Sequence, residues 1–92
     1  MKKYLHLVKR HGHFEKFDYS KIYKSCYKAS LNAHLSKQKA AKIASYVVKK
    51  IKEFIKPKKA ITSDQIFKQV VKHLKEQDKD VAFLYETHRD IS

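Results

Sequence analysis

The chain has 92 residues, 42% of them hydrophobic, with one proline and one glycine; this leaves room for a single domain, 1–92, with one modest core, and argues against an all-strand fold built on many tight turns. Its net charge of +13, from 22 Lys/Arg against 9 Asp/Glu, favours anionic partners such as a nucleoside triphosphate or a nucleic acid. The lone cysteine, Cys26, excludes an internal disulfide, and no apolar run approaches the roughly 20 residues of a membrane-spanning helix. A cytoplasmic location with no membrane partner is the expectation.

The charge is unevenly placed. Residues 1–60 carry 17 Lys/Arg against 3 Asp/Glu, whereas residues 61–92 carry 5 against 6. From Tyr4 to Val8 the chain is dense in apolar residues, then His11-Gly12-His13 interrupts, and Phe14-Glu15-Lys16-Phe17 alternates with period two. This predicts a hairpin, with Gly12 supplying the turn. Asp18 and Ser20 are good N-cap residues, and Ile22, Cys26, Ala29 and Ala33 then repeat on one helical stripe, predicting a helix from about Tyr19 to Ala33.

Ser36 opens a second helix whose apolar face runs through Ala40, Ile43, Ala44, Val47, Val48, Ile51, Phe54 and Ile55, with lysines 42, 49 and 52 opposite. Lys56-Pro57 ends it, because proline lacks the backbone donor and disfavours helical geometry just before it. Ala60-Ile61 reads as a short extended piece. Thr62 with Gln65 has the form of a capping box, opening a third helix with Ile66, Phe67, Val70, Val71 and Leu74 facing inward. Gln77-Asp78-Lys79-Asp80 breaks and recaps, and a last helix carries Val81, Leu84, Tyr85 and His88 on one side.

Read together, Val8-Lys9-Arg10-His11-Gly12, Glu15, Phe17, Asp18, Lys21 and Ile22 resemble the opening signature of the ATP-cone, the regulatory domain of ribonucleotide reductases and of the reductase repressor. The resemblance continues through Leu35-Ser36, Ile61-Thr62-Ser63 with Ile66, and Val81-Ala82 with Tyr85 and Arg89, so it covers nearly the whole chain. It implies an α+β fold, a small three-stranded sheet covering a four-helix bundle, with the nucleotide between them. It also implies ATP or dATP as effector, with the accompaniment of Mg²⁺ left open, and no catalytic role. A free-standing cone would act on an enzyme or regulator partner in trans, or through self-association; an excised one would act in cis.

Physical reasoning adds to this. Two adjacent cations at a strand end, Lys9 and Arg10, and a third one turn into the next helix, Lys21, can converge on a triphosphate, helped by the N–H groups and dipole of that helix start. Glu15 and Asp18 are nearly the only acids in the basic region, and a carboxylate there can accept from the adenine amino group. By resemblance, Leu7 beside Val8, with Ile22, would pack on the base, Ser63 would lie near sugar or phosphates, and Arg89 would close the site. Each residue also has a plainer role: Lys9-Arg10 as a solvated strand end, Glu15 as half of a cross-strand ion pair, Asp18 as a cap.

His6, His11 and His13 raise a metal site, but no fourth ligand has suitable spacing. Cys26 and tyrosines 23, 27, 46 and 85 lie on or beside apolar stripes and read as core. The rival function is a small nucleic-acid-binding protein using the lysine face of the second helix, through Lys49, Lys52, Lys56, Lys58 and Lys59.

Overall fold

A computed structural model describes residues 7–10, 13–16, 18–58 and 60–87. Three strands and four helices follow in the order β1 (Leu7–Arg10), β2 (His13–Lys16), α1 (Tyr19–Asn32), α2 (Lys37–Ile55), β3 (Ala60–Thr62), α3 (Ser63–Gln77) and α4 (Lys79–Thr87). The predicted turn glycine, Gly12, lies outside the described residues, as do Phe17 and His88.

Helix boundaries follow local chemistry. Asp18 caps α1 by accepting from the Ser20 backbone N–H, and Ser36 caps α2 by accepting from Lys39 N–H. The capping box at α3 is complete: Thr62 Oγ1 accepts from Gln65 N–H at 3.1 Å, while Gln65 Oε1 accepts from Thr62 N–H at 2.9 Å. Asp78 closes α3, its N–H donating to Leu74 O, and its Oδ1 accepts from the N–H groups of Asp80 and Val81 at 2.8 and 3.2 Å at the start of α4. One aspartate thus serves two helix ends.

The apolar stripes meet in one cluster containing Ile22, Cys26, Val47, Ile51, Ile55, Val70, Leu74 and Val81, most of them without exposed surface. Removing an isoleucine or leucine side chain of this kind from water contributes about 1.5–3 kcal/mol. The helices close a ring: α1 lies against α2 and α4, and α3 lies against the same two. Hydroxyls tie the ring at two seams, Tyr46 OH to Glu76 Oε1 at 2.8 Å between α2 and α3, and Ser25 Oγ to Tyr85 OH at 3.5 Å between α1 and α4.

β1 is the middle strand, antiparallel to β2 and parallel to β3. The expected α+β arrangement, a sheet covering the bundle, is corrected here: the molecule is a helical domain. Its helices have 14, 19, 15 and 9 residues, its strands four, four and three. Four described strand residues span about 13 Å, whereas a helix as long as α2 spans about 28 Å, so helices make up most of the described fold. They form a ribbon packed against α3, and Ile61 of β3 belongs to the core cluster.

Candidate functional site

The candidate residues fall into three groups. The first is on the ribbon, where register pairs Leu7 with Lys16, Val8 with Glu15, Lys9 with Phe14 and Arg10 with His13 on one side of β1. On the other side Val8 is level with Ile61 and Lys9 with Thr62. Because β3 runs straight into α3, Lys9 stands level with the N-cap of α3, one residue before Ser63. The register thus sets a lysine position of β1 beside the capped start of α3.

The second group opens α1. Asp18 Oδ1 accepts from Ser20 N–H at 2.9 Å and from Ser20 Oγ at 2.7 Å. These bonds, the hydroxyl first, hold the Asp18 carboxyl below its ordinary value, with Lys21 and Lys24 adding in the same direction. The group is therefore an ionised acceptor at neutral pH. Lys21, in the first turn, is exposed. Ile22 has turned inward, 6% exposed, within the helical core.

The third group comprises Ser63 and Arg89. Ser63, half-buried, is the first residue of α3, whereas Arg89 lies outside the described residues. The ribbon packs on α3, while its link to the α1 group is the chain step from Lys16 to Asp18 and not extensive packing against α1 among the described residues. Thr62, legible in the sequence only as a cap, is brought level with Lys9 by the parallel pairing of β1 with β3. No local signal announces that pairing, since α1 and α2 intervene.

Of the histidine trio, His6 and His11 lie outside the described residues, and His13 sits opposite Arg10. Among the described residues no group of three or more His, Cys, Asp or Glu side chains could hold a metal ion. Cys26 is fully buried, and tyrosines 23, 27, 46 and 85 pack against the core. Two lysines of the rival surface lie over aromatic rings of the chain itself, Lys52 over Tyr19 at 5.3 Å and Lys58 over Phe54 at 4.1 Å, as does the neighbouring Lys50 over Tyr46 at 5.5 Å. No described helix is long and apolar enough to cross a membrane.

The family model for the ATP cone domain matches residues 5–91. The chain therefore belongs to the ATP-cone family, whose members are regulatory nucleotide-binding modules and not catalytic domains. No curated protein and no solved structure matches it.

Proposed function

We propose that the chain binds ATP or dATP as an effector at the ribbon and the start of α1, and passes the occupancy on to a ribonucleotide reductase or to a regulator of that enzyme. In this reading Lys9, Arg10 and Lys21 take the triphosphate, and Glu15 and Asp18 accept from the adenine amino group. Leu7, Val8 and Ile22 wall the base, Ser63 meets the sugar or phosphates, and Arg89 closes the site. The observation that carries the reading is the register of Lys9 with the N-cap of α3, within a chain whose family model spans residues 5–91.

The residues present suit a nucleotide. An ionised Asp18 held by Ser20 is a fixed acceptor that need not reorganise, and the start of α3 supplies donors for phosphate oxygens. Mg²⁺ would share the phosphate charge with the lysines. A signal requires only that the nucleotide binds one state of the chain, or of an assembly containing it, more tightly than another. Self-association and contact with an enzyme, in cis or in trans, are the two outlets, and a cytoplasmic location fits both.

Calorimetry with ATP, dATP, GTP and a short DNA at physiological salt tests this. Saturable heat from an adenine nucleotide, lost in Lys9→Ala and in Lys21→Ala, is the expected result. At about 100 times its Kd the ligand should also stabilise the fold by about 2.7 kcal/mol. Binding of DNA alone, with its salt dependence flattened by neutralising Lys49, Lys52 and Lys56, would overturn the proposal in favour of a nucleic-acid surface.

A further inference from the structure

The outer face of α3 and α4 carries a second pattern, unrelated to the nucleotide residues. Lys68, Lys72, Lys75 and Lys79 follow one another at intervals of four, three and four, and Phe83 and Glu86 continue at four and three. Asp78 is extended between the two helices, so Lys68, Lys72 and Lys75 form a stripe on α3 that meets Lys79, Phe83 and Glu86 of α4 along shared grooves. Two adjoining grooves follow it. The first, about 340 Å³, is lined by Phe67, Lys68, Val71, Lys72, Lys75 and Glu86. The second, about 440 Å³, is lined by Lys75, Lys79, Phe83 and Glu86. Lys75 and Glu86 border both, so the two adjoin as one shallow, open channel on the surface.

Phe83 is 64% exposed, the only large hydrophobic residue so placed among the described residues. A single exposed apolar side chain is ordinary; one that lines a groove with an aromatic and aliphatic floor, flanked by four cations, is a recognition pattern. Of those four lysines only Lys68 is in an ion pair among the described residues, with Asp64 at 3.9 Å. Lys72 also acts on the nearby Glu76 carboxylate, and the two groove linings together hold four lysines against one carboxylate, Glu86, around an apolar slot.

We infer that this channel docks an acidic segment of another protein, one that places an apolar side chain beside Phe83 and Phe67 and carboxylates beside Lys72, Lys75 and Lys79. Charge complementarity selects the occupant. The groove lysines outnumber the single lining carboxylate, Glu86, and so favour an acidic occupant, whereas a second copy of this chain, with a net charge of +13, brings no surplus of carboxylates overall. A nucleic acid would drag a continuous row of phosphates past Glu86, which lines both grooves, whereas a peptide can meet that carboxylate with a backbone N–H or a hydroxyl. The channel lies along the middle and end of α3, away from Thr62 and Ser63, so the inference does not depend on nucleotide binding.

Fluorescence anisotropy of the full chain with a labelled acidic peptide of about four helical turns, leucine and phenylalanine on one face and glutamate on the other, tests it. Three controls belong beside it: the same peptide with its apolar residues replaced by serine, a short single-stranded DNA, and the double variant Lys49→Glu with Lys52→Glu. Saturable binding is expected, weakened about tenfold by Phe83→Ala and, separately, by Lys72→Glu with Lys75→Glu. The α2 double variant should change it less than about twofold. All substituted side chains are largely solvent-facing, and unchanged far-ultraviolet circular dichroism verifies that each variant folds. Equal binding of the serine peptide, an equal loss in the α2 variant, or tighter binding of DNA through the same lysines would each overturn the inference.

Discussion

Cys26 shows how completely position can override a side chain's chemistry. With no exposed surface and its pKa pushed up to about 12 by burial, it stays a neutral thiol at physiological pH. A thiol reagent such as Ellman's reagent should label the native chain only as fast as the fold opens, and immediately in denaturant; equal rates in both conditions would mean the packing described is wrong. Glu76 behaves in the opposite sense. Its Oε1 receives Tyr46 OH and lies 2.9 Å from His73 Nδ1, and these contacts, the histidine first, hold its carboxyl below the ordinary value. A carboxylate whose folded pKa is depressed contributes stability that is present above its unfolded pKa and is lost as pH falls through the folded one. Urea midpoints should therefore drop as pH is lowered below about 4, and Glu76→Gln should flatten part of that drop, leaving the portion due to Asp18, which has the same sign.

At the scale of elements, the exit from α1 is the least relaxed piece of backbone. His34 has φ of 69°, and Leu35 N–H reaches back to Ser30 O at 3.1 Å, a helix stop usually served by glycine. His34→Gly should raise the free energy of unfolding by roughly 0.5–1 kcal/mol, measured by chemical denaturation; a loss of stability would show that the histidine side chain contributes more than its backbone costs. The end of the apolar stripe placed this stop at about Ala33 in the sequence, but its left-handed geometry was not legible, because the expected signal, a glycine, is absent there. The starts were legible for the converse reason: Asp18, Ser36 and Thr62 with Gln65 act on amides two or three residues away, and such chemistry is written locally. The stripes of α1, α2 and α3 were equally plain, since burial at helical spacing leaves its own record. What was not legible depends on partners distant in the chain: the level of Lys9 with Thr62, the Tyr46–Glu76 seam, and the outward turn of Phe83 beside a buried Val81 and Ala82. Among the candidate nucleotide residues, the sequence identified side-chain types but not the modest share of the fold that the ribbon would occupy.

For the molecule as a whole, the net charge of +13 on 92 residues means that the folded state works against its own repulsion. Raising sodium chloride from about 20 mM to about 300 mM shortens the screening length from about 20 Å to under 6 Å and should raise Tm by a few degrees; a fall would mean that the surface ion pairs, such as Lys50 with Glu53 at 3.9 Å, outweigh the repulsion. The scarcity of glycine and proline argued against an all-strand fold, and helices dominate the described residues. The start of α4 carries a separate implication. Two of its first amides are satisfied by the aspartate that also finishes α3, and Val81 and Ala82 there are buried in the core cluster. The terminal coil is therefore borrowed from its neighbours: whatever pries it from the bundle also unwinds it, so undocking and melting there are a single event.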